Sequence, residues 1–213
     1  MGRIYAIGDI HGCATRLEAL IARLDIDARH DRLIFIGDYI DRGPDPRGVV
    51  DMILDLRERL DHVICLLGNH EQMFLNYYLH DRDLELILDN GGSGTLASYG
   101  LQRSRQDPSF RVPEQHLRFY QSLLPYYETA NHLFVHAGLR PGIPLADQDL
   151  EDLIWIRFDF IWSAHDFGKR VVFGHTPFSV PLVEANKIGI DTGAVYGGPL
   201  TCLELPAMIF HQV

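Results

Sequence analysis

Five short motifs rich in carboxylate and imidazole side chains occur in order along the chain. They are Gly8-Asp9-Ile10-His11-Gly12, Gly37-Asp38-Tyr39-Ile40-Asp41-Arg42-Gly43, Gly68-Asn69-His70-Glu71, His136-Ala137-Gly138 and Gly174-His175-Thr176. Each motif alone is a weak signal, because a lone histidine after a strand is more often structural than catalytic. Carboxylate, imidazole and amide ligands without a thiolate suit divalent Mn, Fe, Zn or Ni, and the histidines argue against a purely calcium site. The ordered set therefore predicts a site for divalent metal ions.

A site for two ions needs a ligand that touches both, and the two oxygens of an aspartate meet that need. Two ions about 3.5–4 Å apart can hold a bridging water, lower its pKa to near neutrality and stabilise an in-line displacement at phosphorus. The formal net charge of -10 argues against a protein that coats nucleic acid. A phosphorylated substrate must nevertheless find local positive charge, and bound metal ions would supply it.

Three of the motifs follow short runs of residues that favour β-strands. The runs 3–7, 32–36 and 63–67 end at Gly8-Asp9, Gly37-Asp38 and Gly68-Asn69. Apolar residues recur at helical spacing between the runs, so the pattern predicts a layered α/β fold with parallel strands. In such folds ligands collect at the carboxyl ends of the strands, where all three steps are expected to lie.

The rest of the chain predicts a helical insertion followed by a second sheet. The segment 72–124 is expected to be mainly helical and to cover one side of the site, with interruptions at 90–94 and 102–113. Six further strands are expected, and the last four are close enough to favour an antiparallel second sheet; the six runs are 132–136, 170–173, 182–185, 188–190, 200–205 and 208–211. The composition and length indicate one globular domain over residues 1–213.

The ordered motifs closely resemble those of the calcineurin-like metallophosphoesterases, in the phosphoprotein phosphatase branch that includes bacterial serine/threonine protein phosphatases. The resemblance covers the chain from about Gly8 to Gly193. It implies the metallo-dependent phosphatase fold, an α/β protein (α+β by some schemes) built as a four-layer αββα sandwich of two mixed sheets flanked by helices. It also implies hydrolysis of phosphoserine and phosphothreonine monoesters in a protein or peptide substrate, by direct attack of a hydroxide held by two metal ions.

The resemblance further implies which residues bind the metals. The first ion would be bound by Asp9, His11 and Asp38, with Asp38 as the bridge to the second ion. The second ion would also be bound by Asn69, His136 and His175. Manganese is the expected metal, with iron, zinc or nickel as alternatives.

Catalytic and phosphate-binding roles follow from the same resemblance. His70 would be the general acid that protonates the leaving oxygen, and Asp41 would orient it; the phosphate oxygens would be held by Arg42, Arg157 and Asn69. The residue types agree with these roles, because an imidazole exchanges protons near neutral pH and a neighbouring carboxylate favours its charged form. The planar guanidinium of arginine matches phosphate oxygens.

Three rival functions are weighed against the motifs. A symmetrical dinucleoside tetraphosphate hydrolase usually lacks an acid at the position of Asp41, and its third motif ends in Asp where this chain has Glu71. Nucleases and cyclic-nucleotide phosphodiesterases of the wider superfamily commonly end in Gly-His-x-His, but Pro177 occupies the place of the second histidine. A degenerate scaffold that only binds partners is disfavoured by the complete set of predicted ligands.

Other segments carry weaker signals. The run Asn90–Thr95 lacks the Gly-Lys-Ser/Thr ending of a phosphate-binding loop, so a turn between helices that could border the substrate groove is predicted instead. Cys13 is not followed by the Cys-x5-Arg cradle of cysteine-dependent phosphatases, and a packing role is expected. The chain shows no signal-peptide pattern before Asp9 and no apolar run that could span a bilayer, so a cytoplasmic location without membrane contact is predicted. The oligomeric state is left open.

Overall fold

Two five-stranded β-sheets lie in the middle of the molecule. The computed structural model describes residues 2–101 and 111–213. The first sheet contains β1 (Ile4–Ile7), β2 (Arg32–Phe35), β3 (Val63–Cys65), β9 (Thr201–Leu205) and β10 (Ile209–Gln212). The second sheet contains β4 (Tyr126–Glu128), β5 (His132–Val135), β6 (Arg170–Phe173), β7 (Leu182–Val183) and β8 (Lys187–Gly189).

Both sheets combine a parallel centre with antiparallel edges. The strand order is β10-β9-β1-β2-β3 in the first sheet and β4-β5-β6-β8-β7 in the second. Strands β1, β2 and β3 are parallel, with Ile4 opposite Arg32 and Leu33 opposite Val63, whereas β9 and β10 are antiparallel. In the second sheet β5, β6 and β8 are parallel, and the edge strands β4 and β7 are antiparallel. The prediction of two mixed sheets is confirmed.

The predicted grouping of the last four strands is wrong. Strands β7 and β8 belong to the second sheet, but β9 and β10 belong to the first, where β9 pairs with β1. The chain between Gly189 and Thr201 therefore crosses from one sheet to the other, and Gly8 N donates a hydrogen bond to Thr201 O (3.0 Å). Short apolar runs joined by turns look the same in sequence whether their connection stays within a sheet or crosses between sheets.

The helices cover the outer faces of the two sheets. Most of them precede the second sheet: α1 (Ala14–Ile21), α2 (Pro46–Arg59), α3 (Asn69–His80), α4 (Leu84–Asp89), α5 (Ser93–Ser98) and α6 (Glu114–Gln121). Two short helices follow, α7 (Leu150–Trp155) and α8 (Phe158–Ile161). Helices α3 to α6 occupy the predicted helical segment 72–124, although most of its predicted polar interruption, residues 102–110, lies outside the described residues.

The alternation of side chains along β1 explains the four layers. Tyr5 and Ile7 join the core between the first sheet and its helices, together with Leu17 of α1. The intervening residue Ala6 faces the other way and packs with Phe134 of the second sheet. Because both faces of each sheet are covered, the central strands are apolar throughout. The predicted αββα sandwich is confirmed. Within the described ranges, no helix is long and apolar enough to cross a lipid bilayer.

Candidate active site

The six predicted metal ligands lie just beyond the carboxyl ends of parallel strands or in the loops that follow them. Asp9 follows β1, Asp38 follows β2 and Asn69 opens helix α3 just after β3. His136 comes directly after β5 and His175 follows β6. All six side chains are buried, namely those of Asp9, His11, Asp38, Asn69, His136 and His175. The structure therefore brings together residues that are up to 166 positions apart in the chain.

Asp38 lies between two groups of imidazoles. Its Oδ2 is 3.4 Å from Nε2 of His11, and its Oδ1 is 3.4 Å from Nε2 of His136. Possible ligand atoms of His11, Asp38 and His70 lie within 4.8 Å of one another, and so do those of Asp38, His136 and His175. Since Asp38 belongs to both groups, its carboxylate is placed to bridge two cations.

The protonation pattern of His136 tests whether a cation suits this site. Its Nδ1 donates to the carbonyl oxygen of Ile36 (3.0 Å), so the lone pair of the neutral ring is on Nε2. Burial lowers the pKa of His136, which keeps the ring neutral. That lone pair faces Oδ1 of Asp38 at 3.4 Å and Oδ1 of Asn69 at 3.1 Å. Three electron-pair donors pointing at one another are stabilised by a cation between them.

His175 and His11 are also held in the neutral form that metal binding requires. Burial lowers the pKa of His175 to about 2, and its Nε2 is buried without a hydrogen-bond partner in the described part of the chain. Burial lowers the pKa of His11 to about 3, and its Nδ1 hydrogen-bonds to Ile40 O (2.8 Å). The donor set therefore fits divalent cations.

Nε2 of His11 contacts the side chain of Arg42. A guanidinium nitrogen of Arg42 lies 2.5 Å from this atom, and the same guanidinium lies over the exposed ring of Tyr196, 5.7 Å from its centroid. One lone pair cannot accept from Arg42 and bind a cation at the same time. A cation at this atom would therefore displace the guanidinium from Nε2.

Asp191 is a site residue that the sequence analysis missed. It follows β8 by two positions, is buried, and accepts a hydrogen bond from Gly193 N (2.9 Å). Burial and the nearby charge of Asp38 raise the pKa of Asp191 to about 6. Burial and the charges of Asp191 and Asp38 likewise raise the pKa of Asp9. Three buried carboxylates that repel one another form a site that a cation would stabilise.

We expect the Asp191→Asn variant of the metal-free protein to gain stability over the wild type as the pH rises. The folded-state pKa of Asp191, about 6, lies above its ordinary value of 3.8, so its stabilising contribution is complete below pH 3.8 and is lost as the pH rises through 6. Asparagine stays neutral at every pH. The free energy of unfolding of the variant should therefore rise relative to that of the wild type by on the order of 2–3 kcal/mol between low pH and pH 7. Denaturant unfolding from pH 4.5 to 7.5 in a chelator would measure it.

The exposed carboxylate of Asp147 offers a matched control. Because a substitution of an exposed side chain usually changes stability by less than about 0.5 kcal/mol, Asp147→Asn should differ little from the wild type in its free energy of unfolding. A difference between wild type and Asp191→Asn that stays constant across this range would contradict the assigned environment of Asp191.

His70 and Asp41 form a buried pair beside the ligands. Nδ1 of His70 lies 2.6 Å from Oδ2 of Asp41, and the backbone N–H of His70 donates to Oδ1 of Asp38 (3.3 Å). Its Nε2 is buried without a hydrogen-bond partner among the described residues and lies 3.9 Å from Oδ2 of Asp38. This free nitrogen can deliver a proton to a bound group, and the geometry also admits it as a ligand.

Glu71 holds the loop that carries Asp38. Its carboxylate accepts backbone N–H groups from Asp38 (3.0 Å), Tyr39 (2.8 Å) and Gly68 (3.2 Å). The backbone of Asp38 has a φ of 52°, a left-handed conformation that costs free energy for a residue other than glycine. The hydrogen bonds to Glu71 stabilise that conformation. In the sequence, Glu71 distinguishes the third motif from that of the symmetrical hydrolases but gives no sign of this supporting role.

Steric crowding explains why glycine precedes two of the predicted ligands, Asp38 and His175. Gly37 has a φ of 109°, and a Cβ there would lie 2.8 Å from both Gly68 N and His136 Nδ1. A Cβ at Gly174 would lie 2.1 Å from Oδ1 of Asp9. Side chains at these positions would collide with the ligands, so the Gly-acid and Gly-His steps allow close packing of the site.

Arg157 reaches the site from the helices that pack against the second sheet. It lies between α7 and α8, and its guanidinium donates to His175 O (3.0 Å) and to Thr176 Oγ1 (3.1 Å). The ring of Trp155 stands edge-on to that of His175, with 5.9 Å between the centroids. Arg157 and Arg42 thus approach the buried ligands through His175 and His11, respectively.

Comparison with known proteins identifies the family. The family model for calcineurin-like phosphoesterases matches residues 2–206. The chain belongs to this family. Metallophosphoesterase relatives include the asymmetrical bis(5'-nucleosyl)-tetraphosphatase PrpE of Oceanobacillus iheyensis, which is 27% identical over 99% of this chain and 92% of its own length. Serine/threonine-protein phosphatase 1 of Salmonella typhimurium is 31% identical over 93% of this chain and 89% of its own length.

Solved structures agree on the metallophosphoesterase fold. A candidate diadenosine tetraphosphatase superposes with a TM-score of 0.75 at 24% identity, covering 100% of this chain and 93% of its own. A serine/threonine phosphatase of Saccharomyces cerevisiae superposes with a TM-score of 0.66 at 15% identity, covering 99% and 79%. At these identities the likeness concerns the fold alone. The family recognised from the five motifs is confirmed, and the relatives leave its substrate open.

Proposed function

We propose that this metallophosphoesterase is a phosphoprotein phosphatase that hydrolyses phosphoserine and phosphothreonine monoesters. The observation that carries the proposal is the buried His70–Asp41 pair, with a 2.6 Å contact at Nδ1 and a free Nε2 beside the metal-ligand groups. The leaving group of a serine or threonine phosphate is an alkoxide, which departs only with a proton. A side chain positioned to donate a proton is therefore most useful to an enzyme that cleaves such esters.

The proposed metal site uses the buried ligands described above. One cation would be held by Asp9, His11 and Asp38, and Asp38 would share a second with Asn69, His136 and His175. When bound, two divalent ions would polarise a water molecule and offset the negative charge of the phosphate. The oxygen and imidazole donors suit Mn²⁺, which we propose as the working metal, with Fe, Zn and Ni as alternatives.

The remaining site residues would bind the substrate and move the proton. Arg42, Arg157 and the amide of Asn69 would hold phosphate oxygens, because guanidinium and amide N–H groups donate to them. His70 would pass the proton on Nε2 to the leaving oxygen. Asp41 would hold the Nδ1 proton and stabilise the charged ring before transfer. Proton donation and phosphate binding are thus assigned to separate residues.

A thiol nucleophile is disfavoured by the environment of the cysteines. Cys13, Cys65 and Cys202 are all buried. Burial raises the pKa of the Cys13 thiol and raises that of Cys65 to about 11. Burial also raises the pKa of Cys202. The reactive thiolate is therefore scarce near neutral pH.

A second candidate function is hydrolysis of a dinucleoside tetraphosphate in the asymmetrical manner. It is favoured by the PrpE relatives, such as that of Oceanobacillus iheyensis. The two motif differences noted at Asp41 and Glu71 concern the symmetrical hydrolases and do not bear on this class. The leaving group would be a phosphate anion, which needs a proton less than an alkoxide does. The His70–Asp41 pair therefore favours the protein phosphatase.

A comparison of substrates tests the choice. Initial rates would be measured with Mn²⁺ on a phosphoserine peptide, a phosphotyrosine peptide and diadenosine tetraphosphate. We expect the highest kcat/KM on the phosphoserine peptide. A higher kcat/KM on the tetraphosphate would replace the proposal with the second candidate. The Asp38→Asn variant, purified in the same way, controls for a contaminating phosphatase.

A further inference from the structure

The segment Asn90–Thr95 packs against the catalytic end of the second motif. The carbonyl oxygen of Gly91 accepts a hydrogen bond from the backbone N–H of Arg42 (2.9 Å). A Cβ at Gly92 would lie 3.2 Å from Oδ1 of Asp41. The segment was expected to form only a turn at the edge of the groove, but it contacts two residues with proposed roles in catalysis.

Thr95 makes two hydrogen bonds to Asp41. Its hydroxyl donates to Oδ1 of Asp41 (2.5 Å) and accepts from the backbone N–H of Asp41 (3.0 Å). The other carboxylate oxygen, Oδ2, is 2.6 Å from Nδ1 of His70. The exposed fractions of Thr95, Asp41 and His70 are 0%, 1% and 0%. A buried chain of hydrogen bonds therefore runs from α5 to the imidazole of His70.

We propose that Thr95 is a positioning residue for the His70–Asp41 pair, an inference that rests on the proposed role of His70 as proton donor. A carboxylate rotates easily about its last side-chain bond, because that torsion has a broad energy profile. The hydroxyl of Thr95 fixes Oδ1, and Oδ2 is then directed at Nδ1 of His70. With Nδ1 held, Nε2 is held towards the ligand groups. Burial strengthens each bond of the chain.

A purely structural role for the hydroxyl makes a different prediction. Thr95 also satisfies a buried N–H and a buried carboxylate, so its loss destabilises the fold whatever it does for catalysis. Such destabilisation would slow all substrates alike. Loss of a positioned proton donor would slow alkyl phosphates much more than p-nitrophenyl phosphate, whose phenolate leaves without a proton. The contrast between the two substrates therefore separates the roles.

The kinetic experiment compares Thr95→Val, which keeps the shape, with Thr95→Ser, which keeps the hydroxyl. We expect the valine variant to lose about 10–100-fold in kcat on a phosphoserine peptide, which is part of the 10²–10⁴-fold that a general acid contributes. Its loss on p-nitrophenyl phosphate should be much smaller, and the serine variant should keep both rates. Ser98→Ala removes another hydroxyl of α5 and should change neither rate. Among the described residues, this hydroxyl hydrogen-bonds only to the carbonyl oxygen of Thr95.

A measurement without metal or substrate accompanies the kinetics. In protein labelled with ¹⁵N-histidine, the Nδ1 proton of His70 is assigned by its absence from His70→Asn. We expect Thr95→Val to shift or broaden this NMR signal, and Thr95→Ser and Ser98→Ala to retain it. If the valine variant does not fold, Thr95→Ala takes its place in both measurements.

The outcomes separate this inference from the proposed function. Equal losses of Thr95→Val on both substrates, with an unchanged His70 signal, would overturn the positioning role. Suppose instead that the His70 signal is changed in Thr95→Val but retained in Thr95→Ser. This result would support the positioning role of Thr95 even if His70→Asn lost activity equally on both substrates. In that last case the proton-donor role of His70 would fail while the contact of Thr95 with the pair would stand.

Discussion

Asp38→Asn is expected to lose about 10³-fold or more of kcat on a phosphoserine peptide, because metal stabilisation of charge at phosphorus supplies several kcal/mol. Each oxygen of Asp38 faces a different imidazole at 3.4 Å, so this carboxylate is shared by both groups of ligands. An asparagine keeps one oxygen and replaces the other with an N–H₂ group, which cannot bind a cation. Metal analysis of the purified variant should therefore find fewer than two ions per chain.

Asp31 provides a matched control at the other end of β2. It is also buried, and it accepts a hydrogen bond from Arg3 N (2.6 Å). The imidazoles of the predicted metal ligands lie at the opposite end of the strand. Asp31→Asn should lose stability but retain its metal content and its turnover while folded. An Asp38→Asn variant with two bound ions and the wild-type rate would contradict the bridging role.

His70→Asn is expected to lose about 10²–10⁴-fold in kcat on a phosphoserine peptide, the usual range for general acid catalysis. On p-nitrophenyl phosphate the loss should be clearly smaller, because the phenolate barely needs a proton. A ligand role would behave differently, since its loss would weaken metal binding and slow both substrates alike. Rates would be measured at saturating Mn²⁺, with metal content checked in the variant.

A second histidine–carboxylate pair serves as the control. His116 of α6 is buried and hydrogen-bonds to Asp51 (2.9 Å) and to the hydroxyl of Tyr99 (2.8 Å). His116→Asn should leave the ratio of kcat on the phosphoserine peptide to kcat on p-nitrophenyl phosphate unchanged. If His70→Asn kept both ions and lost activity equally on the two substrates, the general-acid role would have to be abandoned.

The fold was predictable where local pattern and topology agree. Runs such as Arg32–Phe35, followed by Gly37-Asp38, combine a buried strand with the residue types of a strand-end site. Parallel strands place such ends along one edge, so the site followed from the pattern. The sheet to which β9 belongs could not be predicted from the pattern, because the pairing of β9 with β1 joins residues about two hundred positions apart. Such long-range pairing leaves no local signal.

Some site residues are marked by their neighbours in the sequence, and others are recognised only from contacts in the folded chain. Asp9, Asp38 and His70 stand in motifs whose neighbours mark them. Asp191 also follows an apolar run, but Ile190 rather than a glycine stands directly before it. Its raised pKa depends on burial and on the charge of Asp38, which follows a different strand. Thr95 acts through one hydroxyl directed at Asp41, 54 positions away. A sequence shows that a threonine is present, whereas only the packing of α5 shows what it contacts.

The most direct test of the central claim, that two cations sharing Asp38 drive phosphate ester hydrolysis, is the metal stoichiometry of the active protein. Metal-free protein would be titrated with Mn²⁺ while bound metal and turnover of a phosphoserine peptide are measured on the same samples. We predict two ions per chain at saturation, with full turnover reached only when both are bound. Full turnover in protein that carries less than one ion per chain would contradict the account.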